Sequence, residues 1–282
     1  MSLAIYRKYR PRSFEDFLGQ QEIVTILKNA ARQDKLAHAY LFYGPRGTGK
    51  TTTARLIAKI ANCETRKNNK SLKEKGDPCN HCGRCEAIDA GRALDVVEID
   101  AASNRGIDEI RSLKESVRLS PTSYDHKVFI IDEVHMLTRE AFNALLKTLE
   151  EPPAHAMIVM ATTEYEKVPA TIVSRCQRFR FRKLTIDEIV KKLARVVASE
   201  KLKASEEALE LIAASAEGSL RDAESLLDQI ASLRSAVDVQ DVESIIGKIG
   251  HARLAEFSNL ILTADISGAL HYISHLNDGG HN

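Results

Sequence analysis

The chain has 282 residues, more than one average domain, so two or three compact units are expected. A hydrophobic share of 44% can build real cores, and 28% charge is ordinary for a water-facing surface. Forty basic against thirty-nine acidic residues exclude a globally basic nucleic-acid-coating protein, so any such contact must come from local patches.

No apolar stretch approaches the ~18–20 residues of a membrane helix. The opening MSLAIYRKYRPRSF lacks the apolar centre of a signal peptide, which points to a cytoplasmic protein. With no Trp, seven Tyr and eight Phe, the cores are expected to be Leu, Ile, Val and Ala. Five cysteines, four of them clustered, suggest a metal more than a disulfide framework.

Ile23, Ile26, Leu27 and Ala30 recur at helical spacing. Residues 39–43 read as a buried strand, ending in a glycine-rich turn. A helix follows, with Ala54, Ile57, Ala58 and Ala61 on one face. Residues 64–78 are polar and basic and read as a loop. Then come a strand at 95–99, a helix at 108–119 and an apolar strand at 127–131. Thr138 caps a helix that Glu150-Glu151-Pro152-Pro153 stops, and 157–161 is a further buried strand. Residues 177–181 close the sheet.

Strands alternating with helices indicate a parallel sheet covered on both faces. After Lys183 the strand signals vanish, and Thr185 with Glu188 forms a capping-box pattern. Helical periodicity then runs to about residue 247. A new helical pair begins at His251, too short to stand alone, so the chain is expected to stop inside a third domain.

Gly44-Pro45-Arg46-Gly47-Thr48-Gly49-Lys50-Thr51 fits G-x-x-x-x-G-K-[ST] between a strand and a helix. Such glycines let backbone N–H groups converge on the α- and β-phosphates of ATP. Lys50 supplies charge to the β/γ oxygens, and the Thr51 hydroxyl can ligate Mg²⁺. Asp132 and Glu133 end a buried strand. Alone, such a pair is usually a solvated turn. After a phosphate loop, Asp132 reads as an Mg²⁺-shell residue and Glu133 as the group that orients and deprotonates the attacking water.

Cys63-x15-Cys79-x2-Cys82-x2-Cys85 offers four thiols for a tetrahedral Zn²⁺. With the shell complete, that metal would be structural. His81 could compete as a ligand and ranks second, because the four cysteines suffice. Thr162 and Thr163 end a strand near the expected phosphate site. Arg175 could serve as a finger into a neighbour's ATP site. Arg221 opens a helix and by composition reads as a surface group. Two basic clusters, Arg7/Lys8/Arg10/Arg12 and Arg175/Arg178/Arg180/Arg182/Lys183, read equally well as solvated faces.

The segments RKYRP, HAYLFYGPRGTGKTT, EIDAASNRGIDEIR, IIDEVHML, FNALLKTLEEPP, SRCQRF and EGSLRDAESLLDQ, with the cysteine cluster, closely resemble one family over about residues 3–247. It is the gamma/tau family of bacterial DNA polymerase III, ATPases of the replicative sliding-clamp loader within the AAA+ class. The resemblance implies an AAA+ phosphate-loop core at 1–183 with a zinc-binding insertion near 63–85. It further implies a helical lid at 184–247 and, at 248–282, the truncated start of a helical collar that holds the subunits together.

By the same resemblance Thr163 is the first sensor, Arg221 the second sensor, and Arg175 of the SRC motif reaches the adjacent subunit's ATP. Cys63, Cys79, Cys82 and Cys85 match the zinc ligands. The implied partners are the other loader subunits, the sliding clamp and primer-template DNA, in a hetero-oligomer when full length, with no membrane contact. ATP binding would open the clamp and hydrolysis would release it closed on DNA. Two rivals share features: a non-catalytic loader subunit, which would not need Lys50 and Thr51, and a branch-migration helicase, which would lack the four-cysteine insertion.

Overall fold

A computed structural model describes residues 4–103, 107–233, 236–246 and 251–278. Its contacts divide the chain into Arg10–Lys183 and a second unit of Met1–Tyr9 with Leu184–Asn282. The break at Lys183/Leu184 falls where the strand signals end. The first nine residues, expected with the sheet, group instead with the helices: Ile5, in the short helix Ile5–Lys8, joins their apolar core.

The first unit is a five-stranded sheet in which every pairing is parallel. Its strands are β1 (Ala39–Tyr43), β2 (Val96–Asp100), β3 (Lys127–Asp132), β4 (Ala156–Thr162) and β5 (Gln177–Arg180), in the order β2-β3-β4-β1-β5. Successive side chains in a strand face opposite sides, so each buried strand feeds two cores. Tyr40, Phe42, Val128, Ile130 and Val159 meet the helices Gln21–Arg32 and Lys50–Asn62 on one side. Leu41, Phe129, Ile131, Ile158 and Met160 meet the helices Ile107–Arg118 and Arg139–Glu150 on the other.

The core is less aliphatic than the composition suggests. Phe14, Phe17, Tyr40, Phe42, Phe179 and Phe181 gather on a single face, where Phe42 packs 5.4 Å from Phe181 and 5.8 Å from Phe179. Few aromatics, placed together, still dominate one side of the sheet.

Thr138 caps its helix as expected, accepting from the Ala141 N–H. The segment read as a loop at 64–78 holds two short helices, Glu64–Asn68 and Lys70–Lys75. Asn69 caps the second by accepting from the Leu72 N–H, and Gly76 ends it at φ 74°. The polar composition concealed these capping signals.

The second unit packs the helices Ile186–Glu200, Glu206–Ser215, Leu220–Leu233 and Val239–Ile246 around Leu193, Val196, Leu209, Ile212, Leu227, Ile230 and Val242. Both bonds of the Thr185/Glu188 capping box are present. One parallel pairing of Lys203–Ala204 with Ala236–Val237 is the strand feature the sequence reading missed. The helices His251–Leu262 and Ile266–Asp278 follow, with Phe257 and Tyr272 stacked at 6.1 Å. Leu262, Ile266 and Leu270 remain exposed. Among the described residues no helix is long and apolar enough to cross a membrane.

Candidate nucleotide and metal sites

The loop after β1 is shaped by its glycines. Gly44, Gly47 and Gly49 sit at φ 138°, 73° and 103°, where L side chains are strained. A Cβ on Gly44 would lie 2.2 Å from the Phe181 carbonyl oxygen, and one on Gly49 would lie 2.3 Å from the Phe17 ring. The loop is therefore pressed against its own domain, and only glycine fits at these two points. The helix Lys50–Asn62 begins directly behind it, and by helix geometry its first N–H groups have no intrahelical acceptor. That cradle suits a phosphate.

Pro45 and Arg46 are exposed, while Thr48 is buried and donates to the Pro45 carbonyl at 2.8 Å. The Lys50 ammonium donates to the Gly44 and Pro45 carbonyls, each at 2.8 Å, and the residue is 6% exposed. Burial lowers its pKa, and the nearby Glu133 and Asp132 carboxylates partly offset that loss. The Thr51 hydroxyl donates to Asp132 Oδ2 at 2.6 Å. A hydroxyl beside a carboxylate on the flank of a phosphate loop is an oxygen-donor set that fits Mg²⁺.

Glu133 turns the chain through the left-handed region at φ 48°, an unusual conformation for a non-glycine residue. Its Oε2 accepts from the Thr163 N–H at 3.2 Å and hydroxyl at 3.0 Å. His135, which the sequence reading passed over, lies alongside. Its Nδ1 is 2.9 Å from Thr162 Oγ1 and 3.4 Å from Glu133 Oε2, and its Nε2 is 3.1 Å from Glu164 Oε1. The run Asp132-Glu133-Val134-His135 was the available signal.

Lys50, Thr51, Asp132, Glu133 and Thr163 thus converge at the carboxyl ends of β1, β3 and β4, where ligands bind open parallel sheets. Arg175 makes none of its hydrogen bonds to this group. Its Nε and Nη2 donate to Glu150 Oε1 at 3.0 and 2.5 Å, and Nη1 donates to the Thr171 carbonyl at 2.7 Å. In the sequence Glu150 reads only as part of a helix stop. Arg221, in the second unit, lies over the Tyr6 ring at 5.0 Å. In the basic clusters, Arg7 donates to the Tyr6 hydroxyl and Lys8 pairs with Glu200 at 2.6 Å.

The four cysteines also meet. Cys63, Cys79, Cys82 and Cys85 are buried, and their sulfurs all lie within 4.8 Å of one another. Cys79 and Cys85 are 4.0 Å apart, close to the sulfur–sulfur edge of about 3.8 Å implied by Zn–S bonds of ~2.3 Å. The Cys79 N–H donates to Cys63 Sγ and the Cys82 N–H to Cys79 Sγ, each at 3.3 Å, contacts that would support metal-bound sulfurs. The donor set fits zinc. Hydrogen bonding from Cys85 drives the Cys63 thiol pKa down, and Cys85 rises correspondingly. His81 stays outside the cluster, exposed, with Nδ1 on the Cys79 carbonyl at 2.6 Å. Cys63 directly follows the helix Lys50–Asn62, and Lys59 clamps Asp89 at 2.9 Å, so the cysteine segment is built onto the helix that carries Lys50.

Two family models match the chain: "DNA polymerase III, delta subunit" over residues 19–185 and "DNA polymerase III clamp loader subunit, ATPase lid domain" over 188–233. DNA polymerase III subunit tau of Bacillus subtilis is 46% identical over 274 residues, covering 97% of this chain and 47% of that protein. The Escherichia coli tau subunit is 45% identical over 244 residues, covering 86% and 37%. DNA polymerase III subunit gamma of Buchnera aphidicola subsp. Baizongia pistaciae is 36% identical over 273 residues, covering 96% and 72%. The chain spans less than half the length of the Bacillus and Escherichia relatives. Among solved structures, the Thermotoga maritima RuvB Holliday junction branch migration motor superposes with a TM-score of 0.59 at 17% identity, covering 90% of this chain and 79% of that one. That likeness establishes a shared fold alone, and the sequence identities favour the clamp-loader reading over the helicase.

Proposed function

The chain belongs to the gamma/tau family of DNA polymerase III clamp-loader subunits, and from that footing we propose that it is an ATP-hydrolysing subunit of the loader. The observation that carries this reading is the cluster at the β1, β3 and β4 ends. A cationic Lys50, an oxygen pair Thr51/Asp132 and a carboxylate Glu133 surround one phosphate-shaped loop. Lys50 holds the β/γ oxygens. Thr51 and Asp132 would hold Mg²⁺, which would neutralise charge on the phosphates. Glu133 orients and deprotonates the water, while Thr163 fixes Glu133 and senses the γ-phosphate.

In this reading Arg175 acts on the neighbouring subunit's ATP, and Arg221 brings the lid to the nucleotide. The domains follow as a nucleotide-binding unit to Lys183 with a zinc module at 63–85, a lid at 184–247 and a collar beginning at 248. Zn²⁺ on Cys63, Cys79, Cys82 and Cys85 is structural. The partners are the other loader subunits, the sliding clamp and primer-template DNA, and the compartment is the cytoplasm.

The test uses the full-length protein in an assembled loader, with ATP turnover measured with and without clamp and primed DNA. Turnover that rises when both are present, with clamp deposited on the DNA, is expected. ATP-driven unwinding of a DNA junction without clamp dependence would overturn the assignment.

A further inference from the structure

His135 occupies a short 3-10 turn, Val134–Met136, immediately beyond Glu133. Its side chain is only 6% exposed, and both ring nitrogens are engaged. The partners decide where the ring proton sits. Glu164 Oε1 can only accept, so Nε2 carries the proton that faces it across 3.1 Å. Thr162 Oγ1 accepts the Glu164 N–H at 3.0 Å and so keeps its own proton to give to Nδ1, 2.9 Å away. Lys167 in turn pairs with Glu164 at 2.8 Å. The ring is thus locked in one tautomer and one orientation by groups at the end of β4.

The same Nδ1 edge lies 3.4 Å from Glu133 Oε2, the oxygen that already receives both Thr163 bonds. Oε2 is therefore held by Thr163, with the imidazole edge alongside. Among the described residues Oε1 receives no hydrogen bond, which leaves it the carboxylate oxygen able to take a water. A carboxylate held by one oxygen and open at the other has a fixed attack direction, and small errors in such placement cost large factors in rate.

We propose that His135 is a positioning residue for ATP hydrolysis: its Nδ1 accepts from Thr162 and so fixes the end of β4, whose next residue Thr163 holds Glu133 Oε2 and leaves Oε1 to face the lytic water. The proposal rests on the reading of Glu133 as the water-activating group. In this role His135 acts only through Thr162 and the end of β4.

The test compares three variants in full-length, assembled loaders, reading ATP affinity, single-turnover hydrolysis and thermal melt. His135→Phe keeps the ring but no polar atom, and should lose tenfold or more in turnover with ATP affinity within twofold of the parent. His135→Asn returns an amide at the place of Nδ1 and should recover most of the rate. His135→Gln extends its amide toward Glu164, and should not. In a Glu133→Gln background, His135→Phe should cost nothing further, because the group it positions is gone. Parent-like turnover in His135→Phe beside an inactive Glu133→Gln would overturn the role of His135 alone. Equal rescue by Gln and Asn, or parallel losses of affinity and rate, would assign His135 a structural role and also overturn it. Near-normal turnover in Glu133→Gln would sink the reading of Glu133, and this proposal with it. Should His135→Phe not fold, the contrast between Asn and Gln decides.

Discussion

Thr51 Oγ1 donates to Asp132 Oδ2 across 2.6 Å, although 81 residues separate them in the chain. Thr51 lies in the first turn of the helix after β1, and Asp132 ends β3, with β4 between the two strands. A parallel sheet brings all its carboxyl ends to one edge, so residues distant in sequence share a single site. The pair stands beside the Lys50 ammonium, which the Asp132 charge supports.

Lys50→Ala should abolish ATP binding. Lys50 is more than a phosphate-loop charge, because the residue is buried and bonded to Gly44 and Pro45. Its removal should therefore also cost about 2 kcal/mol of stability, the scale of a charged hydrogen bond. Nucleotide titration and a urea melt on the same sample check both parts. Tight ATP binding by the variant would contradict the assignment.

Glu133→Gln should retain ATP affinity, because Lys50, Thr51 and Asp132 remain, and lose roughly 10²–10⁴ in turnover for want of a base. Single-turnover hydrolysis in an assembled loader measures this. Near-normal rates would remove Glu133 from the mechanism.

Much of this site is legible in the sequence because its parts are local. The phosphate loop and its strand–helix context are contiguous, and Asp132-Glu133 follows an unmistakable apolar strand. The contacts among these parts are not local. His135 looks like any turn histidine until the sheet order brings Thr162 and Glu164 against it. Glu150 reads as a helix terminus until folding presents Arg175 to it. The sheet itself follows from alternating elements. The aromatic face and the helices at 64–75 do not, because clustering and side-chain caps are tertiary and fine-grained properties.

Freshly purified protein should carry one Zn²⁺ per chain on Cys63, Cys79, Cys82 and Cys85, with no catalytic duty. Metal analysis and thiol counting before and after chelation check this. Four unreactive thiols should become reactive only once the metal leaves. Absence of zinc, or undiminished metal retention in Cys82→Ser, would count against the site.

Asp95 should make the fold acid-sensitive. It is fully buried, and burial alone would raise its pKa. The Thr122, Ser123 and Tyr124 N–H groups, at 2.8–3.0 Å, outweigh that and hold it below the usual Asp value. A depressed folded-state pKa means its stabilisation is complete above ~3.9 and is lost as pH falls through the lower folded value. Asp95→Asn should cost about 2–3 kcal/mol at neutral pH and flatten that acid limb. Urea melts of parent and variant from pH 7 to pH 3 supply the difference, and a constant gap across the range would disprove the linkage.

Arg175 should act in trans. Phosphoryl transfer gathers negative charge on the γ-phosphate oxygens, and a guanidinium delivered there raises the rate by about 10³–10⁵. Within its own chain Arg175 is bonded to Glu150 and to the Thr171 carbonyl, and to none of Lys50, Asp132, Glu133 or Thr163. The Arg175–Glu150 pair is 33% and 49% exposed, a class of ion pair contributing about 0–1 kcal/mol, so it yields readily to a phosphate. A lone chain would then hold a phosphate loop and a base but no finger, and should turn over ATP slowly. Glu150→Ala should leave ATP affinity unchanged and alter turnover only in the assembled loader, where the finger has a target. The deciding experiment mixes Arg175→Ala subunits with Lys50→Ala subunits in full-length loaders. Activity should return at interfaces where an intact Arg175 faces an intact phosphate loop. If Arg175→Ala silences only the ATP bound to its own subunit, Arg175 is a local sensor and the trans assignment fails.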